Sequence, residues 1–187
     1  MYAVSVEYYK FRGIKVEYLR TCCFIDYCNL SAQTKNQSPD FEYELRKIAG
    51  KLVRDFNATH FISGMRLGFE QSFAEAVNEL KGEYPGITLE AVLHFETLAI
   101  DWNEEQRDKY YSIMKKIDEE TLLQYHYSRD CLRKRNIYMI NKSNYIILLC
   151  SNTREIYNLT LYAKKKKKTV FIIQPDMLNI ISLNKNS

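Results

Sequence analysis

Thr59–Glu75 reads THFISGMRLGFEQSFAE, and the order of residue types within it decides the fold. A short apolar run, Phe61-Ile62, is followed by small residues at Ser63-Gly64 and Gly68. An amphipathic segment then runs to about Lys81, with Phe73, Ala76, Val77 and Leu80 on one face. Strand, small-residue turn and helix in that order open a βα unit. Glycine lets the backbone approach a neighbour closely, and a helix start offers free N–H groups and the positive end of a dipole. Taken alone, the pattern fits a phosphate cradle and an ordinary strand-to-helix turn equally well.

The same alternation extends in both directions. Upstream, Thr21–Ile25 is a compact apolar strand, Asp26–Pro39 a polar loop, and Phe41–Phe56 a helix capped by Ser38 or Asp40. Downstream, strands are expected at Thr88–Leu93, Thr121–Gln124, Asn144–Cys150 and Thr169–Ile173. Helices are expected at Asp101–Ile117 (capped by Asp101 or Asn103), Arg129–Lys142 and Ile156–Lys167. NYIILLC at 144–150 is apolar throughout, as a strand buried on both faces should be. Period-two alternation over residues 2–20 predicts a β-hairpin turning at Arg12-Gly13, and Met177–Leu183 is the apolar part of an otherwise polar tail. The expected architecture is α/β: a three-layer Rossmann-like fold with a mainly parallel central sheet. One domain spans residues 1–187, with 1–20 as an N-terminal extension.

The composition is that of a soluble globular chain, with 46% hydrophobic and 27% charged residues. A net charge of +4 and a pI near 8.7 permit an acidic partner without requiring one. The dense basic run Lys164–Lys168 falls at a helix end, where lysines complement the dipole. Nothing approaches a membrane span, and the N-terminus lacks a signal-peptide core, so a cytoplasmic protein is expected. The five cysteines form no CxxC pair and the three histidines show no metal-ligand spacing. Reduced thiols and no metal site are therefore expected. The 15 tyrosines are the compositional outlier; each carries an apolar body and a polar tip suited to a core edge or a binding surface.

In parallel sheets ligands bind beyond the carboxyl ends of the strands. There the chain places Arg66, able to hold a phosphate or to sit solvated in its loop, and the carboxylates Glu70 and Glu75. The Thr88–Leu93 strand ends in His94-Phe95-Glu96, with Trp102 following; an aromatic and an acid there could bracket a base and a ribose or close the core over a helix. Arg133, Arg135 and Asn136 lie on the helix that begins near Arg129. Ser151-Asn152-Thr153-Arg154 follows the 144–150 strand without a glycine, which argues against an intact phosphate loop.

HFISGMRLGFEQSFAEAVNELK, the YPG turn, HFE, the single tryptophan and Tyr127…Cys131…Arg135-Asn136 together resemble the YpsA-like branch of the SLOG superfamily. These are Rossmann-like domains related to the DNA-processing protein DprA and the cytokinin-activating LOG hydrolases. The resemblance covers about Thr21–Ile173. It implies descent from a module for nucleotides or nucleotide-derived ligands, with pocket residues at Ser63, Gly64, Gly68, Glu70, Glu75, Arg135 and Asn136. It also implies pairing through helices as a homodimer. The sequence departs from the family pattern as well. A Thr-Gly-His-Arg turn is replaced by Ile25-Asp26-Tyr27-Cys28, a Gly-Gly-Thr loop by the Asn152-Thr153-Arg154 region, and the acid after Gly68 is Glu70 instead of Asp.

Three functions follow. The first is a non-catalytic module with an altered pocket that takes a nucleotide-derived ligand through Ser63, Gly64, Arg66, Gly68, Glu70, Glu96, Arg135 and Asn136. The second is an interaction or inhibitor protein, for example a phage anti-defence or anti-CRISPR protein, that reuses the fold to bind a protein or nucleic-acid partner. The third is a nucleotide N-glycosidic hydrolase using Glu70 or Glu75 as its carboxylate.

Overall fold

Buried strands in this chain are apolar on both faces, and that dictates where the helices go. A computed structural model describes residues 9–11, 14–16, 19–26, 39–149, 154–173 and 180–182. In chain order the elements are β1 (Tyr9–Phe11), β2 (Ile14–Val16), β3 (Thr21–Asp26), α1 (Pro39–Phe56), β4 (His60–Ser63), α2 (Phe69–Leu80) and β5 (Thr88–Leu93). Then come α3 (Glu104–Met114), β6 (Glu119–Leu122), α4 (Cys131–Lys142), β7 (Tyr145–Leu149), α5 (Arg154–Lys165), β8 (Thr169–Ile173) and β9 (Ile180–Ser182).

The main sheet has the order β6-β5-β4-β3-β7-β8-β9. All neighbours from β6 to β8 are parallel, and β9 closes one edge antiparallel to β8. The chain starts at the centre with β3, steps outward to β6, then crosses back to β7 on the other side of β3. That reversal is the topological switch of doubly wound folds and leaves a crevice at the carboxyl ends of the central strands.

Alternate residues of each strand face opposite layers. Cys22, Phe24, Phe61, Leu89, Ala91, Ile147 and Phe171 pack with α1, α2 and α3. Cys23, Ile25, Ile62, Val92, Ile146, Leu148 and Val170 pack with α4 and α5. This is a three-layer Rossmann-like arrangement, as the alternation predicts. Beneath the Thr59–Glu75 stretch, Phe24 stacks on Phe73 and Phe61, and Phe69 meets Phe73 edge-on. Each such fully buried side chain contributes roughly 1.5–3 kcal/mol, so α2 is held firmly against β3 and β4.

Several boundaries differ from expectation. β6 begins at Glu119, two residues before the predicted Thr121. Its exposed acids hide the strand from a hydrophobic pattern, and charge is what an edge strand carries to resist pairing with other chains. α1 starts at Pro39, so Asp40 lies inside the helix and is not its cap, while Ser38 lies outside the described residues. α3 begins at Glu104, capped by a reciprocal Asn103–Gln106 box. The predicted hairpin is present as β1–β2; its turn and residues 2–8 lie outside the described residues. Cys22, Cys23 and Cys131 are free and buried, whereas Cys28 and Cys150 lie outside them. Burial pushes the Cys22 thiol up and takes that of Cys23 to about 12, so both behave as small core residues. Among the described residues no helix is long and apolar enough to cross a membrane.

Candidate functional site

The predicted residues after β4 converge with α4 at the carboxyl edge of the sheet. Gly64 is needed there on steric grounds. A Cβ at this position would lie 2.3 Å from the Arg135 guanidinium and 2.6 Å from Glu70 Oε2. Only a bare backbone lets that ion pair sit against the turn.

Arg135 and Glu70 are both fully buried. Nη2 donates to Glu70 Oε1 at 2.8 Å and Nη1 to Oε2 at 3.0 Å, the bidentate geometry of a guanidinium on a carboxylate. Nη1 also donates to the Gly64 carbonyl, and Nε and Nη2 donate to Asn136 Oδ1. The Glu70 carboxylate additionally accepts from the Asp26 amide at 3.2 Å and the Arg66 amide at 3.0 Å. Four donors thus fill about four acceptor positions on Glu70. Ser63 Oγ donates to the Glu70 carbonyl and accepts from the Met65 amide. Met65 itself adopts φ 59° in the turn. Arg66 Nη1 donates to the Asp26 carbonyl at 2.6 Å. The ends of β3 and β4, the turn and α4 are therefore tied through one carboxylate.

Two buried polar atoms beside this network have no hydrogen-bond partner among the described residues: His94 Nδ1 and Asn136 Nδ2. The two donations from Arg135 fix Asn136 Oδ1 as the acceptor side, so its unpartnered atom is the amide nitrogen. Burial, aided by the charges of Arg135 and Arg66, pushes His94 down from 6.5 to about 3. The ring is neutral at physiological pH and can offer one donor and one acceptor. Nearby, Gly68 starts α2 with φ 91° and no side-chain cap, and a Cβ built on it would meet nothing within 4 Å. The helix start therefore borders open space.

The remaining predicted residues sit apart from this cluster. Glu75 pairs with Lys109 of α3 at 2.7 Å. Glu96 is exposed and lines a shallow recess with Gln124–Ser128 and Lys134. Phe95 links His94 to Tyr127 by two edge-on ring contacts. Arg133 faces outward, while Arg135 and Asn136 occupy the buried face of α4. The Ser151–Thr153 segment and Tyr27-Cys28 lie outside the described residues, so of the two altered family loops only Ile25, Asp26 and Arg154 are described. His94 and the backbone of Asp26 were not singled out as partners by sequence, although the position of His94 at a strand end was a usable signal.

The comparisons with known proteins bear on the family of the chain. The YpsA family model, described as the YspA SLOG family, matches residues 35–178. The chain belongs to the YpsA SLOG family. A UPF0398 protein from Pediococcus pentosaceus is 31% identical over 85 residues, a match covering 44% of this chain and 46% of that protein. The chain therefore spans less than half the length of this curated relative. In YpsA SLOG family terms, the segment from β4 through α4, which builds the Glu70–Arg135 cluster, lies entirely within the matched region.

Proposed function

We propose that this YpsA-type SLOG domain is a non-catalytic binding module for a nucleotide-derived ligand, held at the carboxyl edge of β3, β4 and β5. The observation that carries this reading is the pair of buried atoms without a partner among the described residues, His94 Nδ1 and Asn136 Nδ2, beside Arg135. Burying polar groups without partners is costly, and a bound ligand or ordered water removes that cost. The uncapped start of α2 at Gly68 adds a place for an anionic group, and Arg66 adds positive charge. In this reading Ser63, Gly64, Glu70 and Arg135 position the site while Arg66, Gly68, His94 and Asn136 contact the ligand. Glu96 borders the adjoining recess.

Binding is favoured over N-glycosidic cleavage because Glu70 has its acceptor positions taken up by four donors, and Glu75 is committed to Lys109. A carboxylate so engaged is poorly placed to attack or activate. A second reading rests on Tyr125 and Tyr127, which are 68% and 69% exposed beside the Glu96 recess. Such aromatics suit a macromolecular partner, protein or nucleic acid.

A thermal-shift screen against mono- and dinucleotides, nucleosides and inorganic phosphate tests the first reading. A binder present at one hundred times its Kd stabilises by about 2.7 kcal/mol, and Asn136→Leu should abolish that shift. A flat response across the whole panel would overturn the ligand reading and leave the macromolecular one.

A further inference from the structure

At the amino ends of β4 and β6, with Glu90 of β5 between them, three potential metal ligands meet. His60 opens β4, Glu90 lies in β5 and Glu119 opens β6. One ligand atom from each lies within 4.8 Å of the others. Glu90 and Glu119 are register partners on adjacent parallel strands, so their side chains emerge on one face, two like charges side by side. Such an arrangement is destabilising unless compensated.

The compensation present is unequal. Glu90 is fully buried, and its Oε1 accepts from the Thr121 hydroxyl at 2.6 Å and lies 3.5 Å from Lys142 Nζ. Its other oxygen, Oε2, faces His60 Nε2 at 3.1 Å. Glu119 is exposed and forms no ion pair with the described residues.

The imidazole supplies a separate observation. His60 Nδ1 lies 2.8 Å from Thr88 Oγ1, and that hydroxyl is within reach of the Thr59 carbonyl at 3.4 Å. When the hydroxyl donates to the carbonyl, Nδ1 donates to the hydroxyl. Nε2 then turns its lone pair toward the ionised Glu90 Oε2. Two acceptors at 3.1 Å need a cation between or beside them. A ring held through Nδ1 by a neighbouring acceptor is also how proteins orient a ligating histidine.

We propose that His60, Glu90 and Glu119 form a divalent-metal site that fastens the edge strand β6 to β5 and β4. One imidazole and two carboxylates suit a borderline or hard transition ion such as Zn2+ or Mn2+, with water completing its shell on the exposed Glu119 side. β6 is four residues long, with its first two residues exposed, so a clip at its first residue holds a short edge strand to the sheet. The alternative arrangement has the Thr88 hydroxyl donating to Nδ1 and Nε2–H donating to Glu90, and it needs no metal.

The test uses the full chain, stripped with chelator and titrated calorimetrically with Zn2+ and, separately, Mn2+. Expected are one bound equivalent, a raised melting temperature and slowed amide exchange in Glu119–Leu122. Glu119→Gln removes only an exposed carboxylate, so the metal-free variant should melt like the parent yet bind about tenfold or more weakly. His60→Gln should behave likewise where it folds. Equal metal affinity in Glu119→Gln and parent overturns the proposal. So does the absence of binding to the parent at millimolar metal, or a thiolate-to-metal absorption band with Co2+, which assigns the ion to cysteine.

Discussion

Arg135 is the largest fully buried side chain in the described structure, and its cost is offset locally. Removing one partner of a buried ion pair leaves the other charge uncompensated, at about 3–5 kcal/mol. Arg135→Met should therefore lower urea stability by roughly that amount, because Glu70 keeps only the Asp26 and Arg66 amides. Adding Glu70→Gln should cost far less than its single-variant effect, since the two act as a unit. Strictly additive losses would show that the pair is not coupled. At this scale the sequence marked Ser63, Gly64, Glu70, Arg135 and Asn136 one by one, but not their relation to one another. An arginine and a glutamate 65 positions apart look like two ligand contacts until the turn at Gly64 brings them together.

Among the elements, α3 shows local sequence and structure in agreement. Its burial is slight, with only Tyr110 and Ile113 fully covered, so the helix depends more than its neighbours on its ends. Asn103 Oδ1 accepts from the Gln106 amide at 2.9 Å, and Gln106 Oε1 accepts from the Asn103 amide at 3.1 Å. Asn103→Ala should cost about 1 kcal/mol, read as a lower denaturant midpoint with an unchanged slope. A loss below a few tenths of a kcal/mol would mean that Trp102, edge-on to Tyr110, holds the helix start instead. β6 is the contrasting case. Its residues Glu119 and Glu120 carry no hydrophobic period, and pairing with β5 alone makes them a strand. The partly predicted C-terminal element likewise becomes β9 only by pairing with β8.

For the molecule as a whole, the buried neutral His94 ties stability to pH. Its folded value, about 3, lies below the ordinary 6.5. The unfolded chain therefore binds the proton more readily, and the contribution of His94 is complete above pH 6.5 and is lost as pH falls toward 3. Glu90 and Asp118 are also shifted down, so they act in the same direction, but below the carboxylate range. The melting temperature should fall between pH 7 and pH 5, and His94→Phe should flatten that part of the curve. A slope that persists unchanged in the variant would assign it elsewhere. Occupation of the carboxyl-edge site by ligand should also change the slope, because His94 Nδ1 would then have a partner.

Local periodicity determined the element order and the parallel sheet, because strands buried on both faces and helices with one apolar stripe are written in nearest-neighbour chemistry; the family was legible only in the particular motifs around Thr59–Lys81 and Arg135-Asn136. The Thr59–Glu75 stretch was legible as strand, turn and helix for the same reason. Only the tertiary structure decided which of its residues are committed to one another and which stay open. Glu70 meets Arg135, Asp26 and Arg66 across three separate segments, while His94 and Asn136 bury polar atoms beside them without partners. His60, Glu90 and Glu119, without metal-ligand spacing along the chain, become neighbours through strand register. Hydrogen bonds and ion pairs between distant segments depend on ångström-scale register, and a one-dimensional pattern does not carry that information.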